Sequence, residues 1–452
     1  MKLFKYIFIV LLGFITFSCG DLAEVNDDPS RLSEVDLNLL LPEVLAQGAN
    51  NLGYNPYRVA GIIMQQLRGL DAQQLAYNDY IAGEDAMNNY WRTGLYAGVL
   101  KSARVLIDQA DAEGNPFYSG VAKIMYASQL GDATSMFGNM PNTQALKGLE
   151  FPKPVYDSQQ DIYTAVLAML DQAIADLSSA EAISVGGDII FGGDNASWIA
   201  TANAFKARYL MHQVKRISGN AASAIAAADQ AMTSNGGNPS FPFETSQTAN
   251  NPLAAFGQER PNTLGFDTRF AAMLADDPRL GNYTIEKEGV QLYFDLGNAD
   301  LVWAQDDSAM PLITYTEMLF IKAEATAMNG GDATSLLADA VRSNMELNGV
   351  APADADAYIS GLGAANVENI VTEAYKAYYG YNFLQTWTNY RRTGFPALTP
   401  SADASPSFDP SGIVPQRFLY VDSEAQTNSE NVEAAKAAQG GALLDAPLWA
   451  FE

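Results

Sequence analysis

Apolar residues recur along most of this chain at spacings of three and four, the period of a helix with one buried face. Stripes of this kind cover 39–48, 59–70 and 90–108. Asp157-Ser158-Gln159-Gln160 reads as a capping box, with Asp157 as N-cap and Gln160 at N3. Behind it, Ile162, Val166, Leu170, Ala173 and Leu177 mark one face of a helix. The stretches 196–217 and 221–233 predict two more helices, which points to antiparallel hairpins. A clearer pair follows. Tyr315, Met318, Leu319 and Ala323 form a stripe ending at Gly330-Gly331, and Leu336, Leu337, Ala340, Val341 and Met345 form the next. Two Ala-rich helices so spaced look like a tetratricopeptide unit, whose period is about 34 residues. A further helix over 367–383 runs toward Trp387. Between these blocks the pattern breaks. About 235–307 carries Pro, Gly, Asn and aromatics, with short alternating pieces such as 289–296. About 394–420 is punctuated by Pro396, Pro400, Pro406, Pro410 and Pro415. Both read as irregular loops with a little β-structure on a mainly α-helical scaffold, and ordered loops on a rigid scaffold are where recognition usually sits.

The first residues follow a different rule. Lys2 and Lys5 precede an apolar run from Tyr6 to Phe17, and Ser18 then meets Cys19, the single cysteine. A charged start, an apolar run too short to span a bilayer and a small residue before the cut predict a signal peptide over 1–18. Cysteine at the cleavage point predicts a lipoprotein, acylated on Cys19, with membrane lipid as its anchor. Thr16-Phe17 is a loose fit to a lipobox, so a simple secretory signal is the alternative. Acyl chains contribute roughly 0.8 kcal/mol per buried methylene, enough to hold a folded body without a spanning helix. The turn-rich, acidic stretch 19–35 reads as the lipidated tether, leaving 36–452 as one domain. No later segment has the run of about 18 apolar residues that a transmembrane helix needs.

Composition removes several function classes. The formal net charge of −26 over 452 residues opposes a phosphate backbone, so nucleic acid is not an expected partner. The same charge predicts weak binding of sulfated or uronic polymers. His212 is the single histidine, so a histidine metal cluster is excluded and any Ser-His-Asp triad would have to use it. It lies on or beside the stripe Trp198, Ala202, Phe205 and Tyr209, which reads as structural. No nucleotide-binding glycine motif is present. No cofactor is expected. Asp194-Asn195 beside glycines could take calcium, against the simpler role of a turn. Among 52 acids, chance carboxylate pairs keep a glycoside hydrolase as an alternative.

Motifs in order along nearly the whole chain then resemble one family. They are VNDDPS at 25–30 with LLLP at 39–42, NYWRTGL at 89–95, Gly131-Asp132 with FGNMP at 137–141, and YDSQ at 156–159. Gly192-Gly193-Asp194 with Trp198, Asp277-Pro278-Arg279, EMLFIKAEA at 317–325, WTNYRRTGFP at 387–396 and Arg417–Tyr420 continue the series. The set is similar to the SusD/RagB-like nutrient-binding outer-membrane lipoproteins of Bacteroidota, the SusD-like group 2 branch in particular. Asn142 and Val421 depart from it, where tyrosine and proline are usual. The resemblance implies a tetratricopeptide-like helical-hairpin body with a large loop-rich ligand-binding half. It implies no catalysis and a partner, a SusC-like TonB-dependent β-barrel transporter, over which the lipoprotein sits as a lid facing the cell exterior. The lipid would hold that lid at high effective concentration.

Sugars stack on aromatic rings and satisfy their hydroxyls with planar polar groups. The segment Gln73, Gln74, Tyr77, Asn78, Asp79 and Tyr80 interleaves both and is the first candidate ligand site, against a partly buried helix connection. Arg260 with Asn262, and Trp303 beside Gln305, are weaker candidates. Trp91 and Trp387 read as core, and Arg391-Arg392 as pairing with scaffold acids or facing the transporter. An oligosaccharide is the expected ligand, with peptide import on the same architecture as the alternative.

Overall fold

The computed structural model describes residues 35–287, 290–292 and 305–452. Cys19, the signal peptide, most of the tether and Trp303 lie outside the described residues.

Helices α1 (Leu37–Asn51) and α2 (Asn55–Ile63) open the chain, followed by strand β1 (Leu67–Gly69) and α3 (Ala72–Tyr77). A π-helical segment, Tyr90–Leu100, broken by a kink at Gly98, leads into α4 (Lys101–Glu113). Then come α5 (Pro116–Phe137), α6 (Gln159–Leu177), α7 (Asn195–His212) and α8 (Asn220–Ala228). Each of α4 to α7 packs on the next, and α8 packs on α12 (Tyr315–Met328), which pairs with α13 (Thr334–Leu347). This succession is the helical-hairpin scaffold that the stripes predict. All five apolar positions of the α6 stripe, Ile162 through Leu177, are buried.

Where the chain departs from expectation, local chemistry explains it. The predicted helix over 59–70 stops at Ile63, because Leu67–Gly69 pairs antiparallel with β3 (Leu264–Phe266). The helix expected over 367–383 is two, α15 (Val367–Ala377) and α16 (Phe383–Thr393), separated where Gly380 takes φ +79°. The α6 cap is Ser158, not Asp157: the Ser158 Oγ accepts the Asp161 amide and donates to its carboxylate at 2.6 Å. Asp157 is drawn away by the preceding turn, taking the amides of Asn142 and Thr143 at 2.9 and 2.8 Å.

The region 235–307 holds more helix than its composition suggests. After β2 (Ser240–Phe241) come α9 (Pro252–Glu259), β3, α10 (Thr268–Met273), α11 (Leu280–Tyr283), β4 (Ile285–Lys287) and β5 (Val290–Leu292). Asn251 caps α9 ahead of Pro252, and Asp267 caps α10. The sheet order is β1-β3-β5-β4, all antiparallel, and β6 (Met310–Pro311) pairs with β2. The remaining helices are α14 (Pro352–Ser360), α17 (Asp422–Thr427) and α18 (Ser429–Ala438).

One apolar core runs through α1 to α8 and α16, and a smaller one joins α12 to α15. The close crossing of α5 and α7 needs Gly131, because a Cβ there would meet the Tyr209 ring at 2.4 Å. Trp91, Trp198 and Trp387 are fully enclosed, as expected of core residues. His212 is too: Tyr163 Oη bonds Nδ1 at 3.0 Å and Nε2 faces Gln385 Oε1 at 2.9 Å. Arg392 pairs with Glu324, as expected for a scaffold arginine. Arg391 instead lies between the Trp387 and Phe451 rings, 3.8 and 4.3 Å from their centroids, and donates to the Ser135 carbonyl. Among the described residues, no helix is long and apolar enough to cross a membrane.

Candidate ligand-binding cleft

The end of α1, the turn into α2, the start of the π-helical segment and α9 enclose an open cleft of about 700 Å³. Its location follows from local chemistry. Asn51 donates to the Gly94 carbonyl at 3.0 Å and to Gln129 Oε1 at 2.6 Å, which ties α1 to the π-helical segment and α5. Gln47, Asn50, Asn55, Gln73, Asn89 and Asn250 bring amides to the walls. Two aromatic rings line it. Tyr54 sits edge-on to buried Tyr90, with centroids 6.3 Å apart. Phe256, half-buried on α9, carries the Arg58 guanidinium 3.9 Å above its ring. Such a cation over a ring face is an attractive contact that also holds the ring in place.

Two acids, Asp85 and Glu259, and two bases, Arg58 and Arg260, are the charged residues of the lining. Within a chain of net charge −26, the cleft is locally balanced. Amides, flat rings and balanced charge suit a neutral, hydroxyl-rich ligand.

The residues singled out from sequence divide. Gln73 and Arg260 line the cleft. Gln74, Tyr77 and Tyr80 are enclosed, with 2, 4 and 3% of their surface exposed, so neither tyrosine presents a ring face. Their hydroxyls are engaged inside the protein: Tyr77 Oη accepts from Asn55 Nδ2 at 3.0 Å and Tyr80 Oη from the Ser401 amide at 3.1 Å. Burial pushes both phenols above their ordinary pKa. Asn78 closes the β1–α3 turn by bonding both backbone groups of Gly69, and Asp79 accepts from Ser401 Oγ at 3.0 Å. A Cβ at Gly69 would lie 1.7 Å from the Gln74 carbonyl, so the turn requires glycine. The stacking role expected of Tyr77 and Tyr80 is therefore corrected: this segment is the partly buried connection, and it sets one wall of the cleft. Asn262 takes φ +61° in an exposed turn outside the cleft lining.

Tyr54, Asn55, Arg58 and Phe256 were missed. The signal was present in Asn50-Asn51-Leu52-Gly53-Tyr54-Asn55-Pro56-Tyr57-Arg58, which interleaves amides and aromatics as 73–80 does. Asp194 is a helix cap, accepting the amides of Ala196 and Ser197. These bonds hold its carboxyl below its usual pKa, the Ser197 hydroxyl contributing most. Among the described residues, no three His, Cys, Asp or Glu side chains are grouped to hold a metal ion.

A family described as starch-binding and associating with the outer membrane, SusD-like_2, matches residues 29–421. The chain belongs to this SusD-like family. Its members are binding proteins rather than enzymes. Among solved structures, the chain is similar to a chitin-binding protein at 24% identity and TM-score 0.76, over 92% of this chain and 99% of that one. A SusD/RagB family protein from Bacteroides thetaiotaomicron matches at 23% identity and TM-score 0.75, with the same coverage. A SusD homologue from Bacteroides fragilis matches at 19% identity and TM-score 0.76, over 93% of this chain and 100% of its own. At these identities the likeness establishes the fold alone. No curated protein matches the sequence.

Proposed function

We propose that this SusD-like protein binds a neutral oligosaccharide in the cleft between α1–α2 and α9, and delivers it as a lid to a TonB-dependent β-barrel transporter. The observation that carries the ligand class is the lining: seven amide side chains, Asn51 among them, around Tyr54 and Phe256, with acids and bases in equal number. A stacked sugar buries its apolar face on a ring while its hydroxyls replace water by amide partners, which limits the desolvation penalty. In this reading residues 1–18 are cleaved, 19–35 form the tether acylated at Cys19, and 36–452 form the binding body at the cell surface. Binding and hand-over need no covalent step.

Isothermal titration of the lipid-free body from Gly20, against neutral oligosaccharides and short peptides, tests the reading. Saccharide binding lost in Phe256→Ala, with no cleavage product, is expected. Binding of peptides alone would transfer the cleft to peptide import, and saccharide cleavage would overturn the proposal of a pure binding protein.

A further inference from the structure

A second cavity, of about 500 Å³, opens between α4, α5, α6 and the turn at 142–147. It shares no lining residue with the cleft, and its chemistry is different. Met169 and Ala165 of α6 and Leu146 of the turn, all partly exposed, give it an aliphatic floor, with Leu130 of α5 and Val166 buried behind them. Two cations stand at its edge, Arg104 on α4 and Lys147 on the turn.

The wall formed by the turn is firmly built. The Asp157 carboxylate accepts from the amides of Asn142 and Thr143 and from Thr143 Oγ1, at 2.9, 2.8 and 2.8 Å. Gln144 Oε1 accepts the Val155 amide at 3.0 Å. Leu146 is held at φ +64°, a left-handed conformation that leucine rarely adopts. Such strain persists only where the surroundings over-determine it, and it concentrates at functional sites. The electrostatics are equally local. Asp108 lies 3.7 Å from Arg104, so the lining carries two cations and one acid in a chain of net charge −26. Asp157, an acid outside the lining, is committed to the turn.

We propose that this cavity is a second ligand site, taking a small amphipathic carboxylate with its aliphatic or aromatic body on the floor and its carboxylate between Arg104 and Lys147. An aliphatic floor of this size gains by removing apolar surface from water, at roughly 25 cal/mol per Å². A cationic edge on an acidic protein selects the anionic headgroup.

Titration of the lipid-free body with decanoate and with 4-phenylbutyrate tests this, followed by calorimetry and by saturation-transfer NMR. Saturable binding is expected, weakened about tenfold by Lys147→Glu, the worth of one charge-assisted hydrogen bond. Ala165→Phe, which places a ring in the cavity, should abolish binding. Decanol, which lacks the charge, should be indifferent to Lys147→Glu. Absence of saturable binding, or an unchanged titration in Ala165→Phe, overturns the proposal. Should Ala165→Phe fail to fold, Lys147→Glu on the exposed turn decides alone, an unchanged decanoate affinity at low salt being the overturning result. Oligosaccharide titration of the Lys147→Glu protein keeps this site distinct from the cleft, which that substitution does not touch.

Discussion

Arg208 and Glu317, 109 positions apart, form a two-point ion pair with Nε to Oε1 at 2.6 Å and Nη2 to Oε2 at 2.7 Å. The pair is buried and joins α7 to α12, the two helices that flank α8 in the hairpin succession. Asp132 of α5 lies 3.6 Å from the same guanidinium and accepts hydroxyl bonds from Tyr57 and Tyr209, at 3.2 and 3.0 Å. Burial alone would lower the Arg208 pKa, but the two carboxylates more than offset it and raise it. Removing one partner of such a pair leaves an uncompensated buried charge, whereas removing both costs less. Glu317→Leu should therefore destabilise the protein by about 3 kcal/mol, and adding Arg208→Met should recover part of that. Urea unfolding of the singles and the double checks the order. A double variant less stable than both singles would show that packing, not charge, sets the effect.

His212 supplies a pH dependence. Burial lowers its pKa well below the usual value, and the charges of Arg208, Arg392 and Arg391 add to this against the Gln385 hydrogen bond. The folded protein keeps the ring neutral where the unfolded chain takes up a proton, so stability falls as pH drops below about 6.5. The slope from this one group is at most about 1.4 kcal/mol per pH unit. Asp132, whose carboxyl burial raises, acts with the opposite sign toward low pH. Comparing urea midpoints of the native protein and His212→Gln between pH 7.5 and 5 isolates the histidine. The variant should lose the least stability over that range, and parallel curves would remove His212 from the acid sensitivity.

Ser158 and Asp157 exchange the roles their order suggests, and substitution separates them. Ser158→Ala should cost about 1 kcal/mol, the usual loss of a helix N-cap, without altering the second cavity. Asp157→Ala removes the acceptor for two amides and a hydroxyl of the 142–147 turn. It should raise amide hydrogen exchange at Asn142 and Thr143 while α6 stays protected. Faster exchange confined to the start of α6 would restore Asp157 as the cap.

Much of the helical scaffold was legible because its helices bury one face: Leu170 and Leu177 inside, Asp171 and Gln172 outside. Helix α5 shows the limit. From Phe117 to Phe137 nearly every residue is buried, including Ser128, Gln129 and Asp132, so no stripe betrays it. The helix is enclosed on all sides, and its polar groups are matched by partners far along the chain, such as Asn51 and Tyr209. The cleft was half legible for a related reason. Amides beside aromatics occur at 50–58 and at 73–80 alike, and composition carries no sign of which rings turn inward. That depends on Ser401, 321 positions beyond Tyr80, whose amide donates to the tyrosine hydroxyl.

That long-range bond separates scaffold from ligand contact experimentally. Tyr80→Phe keeps the ring but strips the acceptor from the part-buried Ser401 amide, which should cost about 1 kcal/mol of stability. Oligosaccharide affinity should not change, because the hydroxyl points at residue 401 and not into the cleft. Phe256→Ala should do the reverse. Its ring is half-buried at the cleft wall beneath Arg58, so stability falls modestly while sugar binding is lost, stacking on a ring being worth about 1 kcal/mol or more beyond the area buried. Thermal midpoints and titration isotherms for the two variants therefore move on different axes. Should Tyr80→Phe abolish binding with its midpoint unchanged, the ligand would belong to the α3 segment, and the cleft at Tyr54 and Phe256 would lose its claim.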